Sequence, residues 1–187
     1  MVVKSVLRSY DGVQRSFHWI MAALILGALA IGFVVYFVVG DGPLRVPMLT
    51  IHKSLGMTAL ILGALRIVYR LSVGAPPYAV PLGRLIHKAS QAGHLALYAL
   101  MLATPIVGYI ASSAGGYEIS WFGLFDFPGL APRDHALMQK AIGLHFWLGW
   151  AIASVLAIHI AAVFWHACVK RDEVLSRMWP SSALRQG

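Results

Sequence analysis

Residues 141–169 read AIGLHFWLGWAIASVLAIHIAAVFWHACV, 29 positions without an Asp, Glu, Lys or Arg. As an α-helix rising about 1.5 Å per residue, such a run exceeds the roughly 30 Å hydrocarbon core of a bilayer. Yet it carries three histidines, His145, His159 and His166. An imidazole in hydrocarbon is costly and calls for a partner. His145 and His159 are 14 residues apart, a rise of about 21 Å and about 40° short of four turns, so they project from nearly the same face. The segment predicts a spanning helix with one imidazole near each side of the membrane.

Three further apolar runs precede it. Between Arg15 and Asp41 lie 25 uncharged residues, and residues 89–117 add 29 more, with Pro105 placed to kink a helix that ends at the Ser112-Ser113-Ala114-Gly115-Gly116 turn. The run from Ile51 to Leu71 holds Lys53 at its start and Arg66 and Arg70 at its end, positions from which long cationic side chains snorkel to the interface. The expected architecture is an all-α integral membrane four-helix bundle, a single domain over residues 1–187 with spans at about 16–40, 50–72, 89–113 and 139–169. Ala28-Leu29-Ala30 imitates a secretory cleavage site, but the apolar run continues to Val39, so the first helix is read as retained. The longest loop, about 113–137, bears Trp121, Phe122, Phe125, Phe127, Pro128 and Pro132 and is expected at the outer interface.

Composition agrees with a membrane protein: 59% hydrophobic and 12% charged residues, with mean hydropathy +0.72. The net charge of +8 would suit nucleic acid, but the cations sit between the apolar runs, where they orient the chain. Eleven Lys and Arg fall on the side holding both termini, and four (Arg45, Lys53, Arg133 and Lys140) on the other, which places both termini in the cytoplasm. One cysteine, Cys168, excludes an internal disulfide framework, and no Cys-x-x-Cys-His is present to attach a haem covalently. Nucleophile triads, paired catalytic carboxylates, phosphate loops and nucleic-acid modules are also missing, which argues against hydrolysis, nucleotide binding and gene regulation.

Depth organises the histidines. His18 opens the first span at the inner level, matching His159, and His52 opens the second at the outer level, matching His145. Two bis-imidazole sites stacked across a bundle are what two non-covalent b haems require, one axial ligand coming from each side of the macrocycle. Gly56 and Gly149 follow His52 and His145 by four residues and would share the ligands' faces. Arg66 and Arg70 at the inner level, and Lys53 and Lys140 at the outer, are candidate partners for haem propionates. His94 and Tyr98 share a face of span three near the inner level. His87 and His135 are expected on solvated loops.

The elements Arg15-Ser16-Phe17-His18-Trp19, Ile51-His52-Lys53-Ser54-Leu55-Gly56, Arg66-Ile67-Val68-Tyr69-Arg70 and Gly93-His94-Leu95-Ala96-Leu97-Tyr98, with the His145, His159, His166 series, resemble the bacterial cytochrome b561 family over nearly the whole chain. The resemblance implies a di-haem protein of the bacterial cytoplasmic membrane exchanging electrons with ubiquinone, with His18 and His159 on one haem iron and His52 and His145 on the other. His166 falls where a quinone-site histidine would lie, with His94, Tyr98 and Arg84 as further candidates. One member type, superoxide oxidase, passes electrons from superoxide to ubiquinone. A rival reading is a haem b anchor subunit that links a hydrogenase or dehydrogenase to the quinone pool. Third is a metal or proton transporter, which the lack of intramembrane carboxylates disfavours.

Overall fold

The computed structural model describes residues 9–77 and 83–179. Lys4, Arg8 and Arg185, part of the charge count above, lie outside the described residues. Four long helices follow one another: α1 (Gly12–Val34), α2 (Arg45–Val73), α3 (Arg84–Ala114) and α4 (His135–Phe164). All four are long and apolar enough to cross a membrane; each begins four or five residues before its expected span, α2 and α3 end one residue beyond theirs, and α1 and α4 pass into π-helical segments before the expected ends. The chain is a multi-pass membrane protein.

Local chemistry explains the ends. Asp11 caps α1 by accepting from the Gln14 amide at 2.9 Å, and Asp134 caps α4 by accepting from the Leu137 amide at 3.0 Å. α1 widens into a π-helical turn, Val35–Val39, closed by Gly40 at φ 54°; α2 stops at Gly74, φ 80°. α4 also ends in a π-helical segment, Trp165–Lys170, after which Arg171 turns left-handed at φ 52°. Pro105 is accommodated inside α3.

The helix surfaces stay apolar and exposed, Tyr36, Val38, Leu71, Leu95, Trp147 and Ile158 among them; apolar residues on every face suit lipid as solvent. Small buried clusters sit at two depths: Met21, Ala59 and Met101 toward the end that holds both termini, and Met57, Tyr109 and Ile119 toward the other. α1 packs on α2, α2 on α3 and α3 on α4. α4 meets α1 and the π-helical turn after it through large side chains, Phe33 against Trp150 and Tyr36 against Phe146.

The loop between α3 and α4 contains a structure the sequence reading treated as plain loop: an antiparallel hairpin of β1 (Ile119–Trp121) and β2 (Phe125–Phe127), with Ser120 opposite Asp126. Its turn places Phe122 and Gly123 at φ 51° and 74°, a type I′ geometry that usually calls for Asn-Gly. A Phe-Gly pair carries no such signal, so the hairpin was illegible. Ser54, 0% exposed, pins it to α2: its hydroxyl donates to Thr50 O at 2.7 Å and accepts from the Phe122 amide at 2.9 Å, with Ser120 O 3.1 Å away. Trp121 Nε1 adds a bond to Thr58 Oγ1 at 3.0 Å.

At the opposite end, residues 173–179 fold back across α1 and α2. Trp19 Nε1 donates to Met178 O at 2.8 Å, and Arg15 to Trp179 O at 3.2 Å. Arg177, 3% exposed, donates to the carbonyls of Pro76 and Pro77 and lies over the Tyr10 ring. We call these the hairpin end and the terminal end.

Candidate functional site

At the hairpin end, α2 and α4 bring His52 and His145 together, ring centroids 5.9 Å apart and planes at 89°. Each ring bonds through Nδ1 to a backbone carbonyl on a different helix: His52 to Ala28 O of α1 and His145 to Thr104 O of α3, both at 2.9 Å. A carbonyl only accepts, so Nδ1 carries the hydrogen and Nε2 keeps its lone pair. Both imidazoles are thereby set in the tautomer that binds a metal through Nε2. The Thr104 hydroxyl beside this bond is buried without a hydrogen-bond partner among the described residues.

Glycine also lets each ring lie against a neighbouring helix. Gly56 and Gly149, expected to admit a flat macrocycle beside the ligands of their own helices, do not touch the rings: a Cβ at Gly56 would reach only Pro105 at 3.9 Å, and one at Gly149 no atom within 4 Å. The residues against the rings are Gly32 of α1 and Gly108 of α3: a Cβ there would lie 3.0 Å from His52 Cε1 and 2.8 Å from His145 Cε1. Each glycine is one turn beyond the carbonyl that accepts from the same ring. Sequence distance along the ligand's own helix could not reveal this, since both glycines belong to neighbouring helices.

At the terminal end, α1 and α4 place His18 and His159 with centroids 6.3 Å apart, planes at 56°. α3 adds His94, 5.8 Å from His159, its Nδ1 donating to Ser90 O at 2.7 Å. Three imidazoles thus share this level. Arg66 reaches His18 Nδ1 at 3.3 Å and stacks over Tyr98 at 5.8 Å, so it stands beside the ring pair. Arg70 turns to the terminal rim instead, donating to Gln14 Oε1 at 3.1 Å and Gly74 O at 2.9 Å. Lys53 is drawn to the hairpin, donating to Glu118 O at 2.9 Å over the Tyr117 ring. Lys140 and Arg84 are exposed near the starts of α4 and α3.

His166 lies in the π-helical end of α4, its Nδ1 held by Asp172 Oδ2 at 2.5 Å. Burial opposes ionisation of Asp172, but the bonds from His166 and the Val174 amide, with Lys170 nearby, hold its carboxyl below the usual carboxylate value. Asp172 escaped the sequence reading because an acidic residue after a span ordinarily reads as solvated.

Comparison with known proteins follows the same architecture. Residues 9–181 match the family described as prokaryotic cytochrome b561. The chain belongs to the prokaryotic cytochrome b561 family. It is 34% identical to "Cytochrome b561 homolog 2" of Escherichia coli (strain K12), covering 95% of each chain. It is 27% identical to "Probable superoxide oxidase CybB" of Yersinia pestis, over 92% of this chain and 97% of that one. Similarity to "Cytochrome b561 homolog 1" of Escherichia coli (strain K12) is 25%, covering 69% and 73%.

This cytochrome b561 is therefore a membrane haem protein, and its side chains fit the cofactor. Two imidazoles binding one metal from opposite sides, each with a bond of about 2 Å, place their ring centres roughly 6 Å apart. Centroid separations of 5.9 Å for His52 and His145, 6.3 Å for His18 and His159 and 5.8 Å for His94 and His159 all agree.

Proposed function

We propose that this cytochrome holds two b haems, one between His52 and His145 and one between His18 and His159, and transfers electrons across the cytoplasmic membrane from superoxide to ubiquinone. The observation that carries this reading is the pair of facing imidazole couples at two depths, both using α4. The similarity to a probable superoxide oxidase supports the choice of donor. With eleven of the fifteen Lys and Arg on its side, the terminal end is cytoplasmic and the hairpin end faces outward.

Bound haem supplies a one-electron carrier at each depth. The remaining chemistry falls to the chain. Two superoxide ions each surrender one electron and leave as dioxygen; ubiquinone takes both electrons and two protons to become ubiquinol. His166 donates to the quinone carbonyl oxygen through Nε2 while Asp172 accepts from Nδ1 and fixes the ring. Arg66, beside His18, is the cation best placed for a propionate. His94 and Tyr98 line the same level, and Arg84 lies on the same side of the membrane.

Purified protein in ubiquinone-containing liposomes, pulsed with superoxide, tests the reading. Two haems per chain and quinone reduction without another subunit are expected. Reduction only when a co-purifying dehydrogenase is present would replace it with the membrane-anchor role.

A further inference from the structure

The two imidazole couples differ in how much of each is set by the polypeptide. At the hairpin end, α1 and α3 present the same device: a carbonyl acceptor and, four residues later, a glycine. Ala28 O and Gly32 seat His52, and Thr104 O and Gly108 seat His145. The carbonyl chooses the tautomer, and the bare Cα lets the ring lie against the neighbouring helix, so tautomer and rotamer are both fixed by helix packing.

Among the described residues, the terminal end lacks the device. The nitrogen facing His18 Nδ1 belongs to Arg66, 3.3 Å away. A guanidinium only donates, so His18 Nδ1 is the acceptor and its hydrogen sits on Nε2, the reverse of the arrangement at His52 and His145. His159 makes no hydrogen bond among the described residues, and both His18 and His94 face it, at 6.3 and 5.8 Å. Coordination there requires Arg66 to release His18, the His18 tautomer to switch and His159 to settle on one partner. Each step costs free energy that a preset site does not spend on binding.

We infer that Ala28, Gly32, Thr104 and Gly108 make the hairpin-end couple a preorganised haem seat, and that the terminal-end couple is completed only as its haem binds, so the hairpin-end haem is held far longer. This rests on the ligand pairing proposed above.

The test uses holoprotein in detergent with excess haem-free myoglobin as haem acceptor. His159→Ala leaves the hairpin-end haem alone and His145→Ala the terminal-end haem alone. Transfer from His159→Ala is expected to be at least tenfold slower than from His145→Ala; equal rates, or the reverse order, overturn the proposal. In the His159→Ala background, Gly108→Ala or Gly32→Ala should erase the advantage, whereas Gly143→Ala, at an exposed position of α4 about 200° around the helix from His145, should leave it intact. Retained advantage in both ring-facing glycine variants also overturns it. Should His159→Ala lose both haems or neither, the ligand pairing itself is wrong and the proposal falls with it, a result distinguishable because stoichiometry is read before transfer begins.

Discussion

His166 and Asp172 close the end of α4 on each other: Nδ1 lies 2.5 Å from Oδ2, and the Asp172 amide also donates to His166 O at 3.2 Å. The π-helical turn of Trp165–Lys170 and the left-handed Arg171 bring the two within reach. π-turns concentrate at functional sites because they aim side chains that a regular helix would not.

If the pair orients an imidazole toward quinone, Asp172→Asn should keep both haems but slow haem reoxidation by ubiquinone about tenfold, since the ring loses its anionic anchor. His166→Ala should slow it by tenfold to a hundredfold, roughly 1.4 to 2.8 kcal/mol. Stopped-flow absorbance after photoreduction reads both. Unchanged rates with haems intact would move the quinone site toward His94, Tyr98 and Arg84.

Haem stoichiometry separates the ligands. His52→Ala and His145→Ala should each leave one haem per chain, as should His18→Ala and His159→Ala, measured by pyridine haemochrome against protein mass. His94→Ala should leave two. A drop in His94→Ala with two haems in His18→Ala would transfer the ligand role to α3.

Ser54 sits fully buried between α2 and the hairpin and satisfies the Phe122 amide. Ser54→Ala strands that donor and should cost about 1 to 3 kcal/mol. The thermal midpoint in detergent should fall and hydrogen exchange at Ile119–Phe127 should rise first. Equal protection in both proteins would show that the hairpin is held elsewhere.

Two carboxylates at the terminal end, Asp11 and Asp172, have lowered pKa values: burial opposes the charge at each, but hydrogen bonds, from Gln14 at Asp11 and from His166 and Val174 at Asp172, outweigh it. A folded value below the unfolded one contributes stability above the unfolded pKa and loses it as pH falls through the folded value, here below about pH 4. Hydrogen exchange corrected for intrinsic rates should therefore rise at residues 173–179 and in the first turn of α1 below that pH, with mid-span amides unchanged. Flat protection from neutral to acid would remove these groups from the account.

Topology is testable apart from cofactor. A reporter fused after Gly187 should be active in its cytoplasmic form only; activity of a periplasmic reporter there would invert both ends of the scheme.

The number of spans, the apolar faces and the depth of each histidine were legible in the sequence because lipid demands long uncharged runs and because helical rise converts spacing directly into depth. His145 and His159 could be assigned to one face of one helix by counting alone. Which atoms meet across helices was not legible. Gly32 and Gly108 face the rings from neighbouring helices, since helix rotation and packing, not position along the ligand's own helix, decide what lies opposite an imidazole. Only the tertiary structure could turn Lys53 and Arg70 to backbone carbonyls, leave Arg66 beside His18, and fold Asp172 onto His166. Long flexible side chains take their partners from the folded surroundings, which no local pattern encodes.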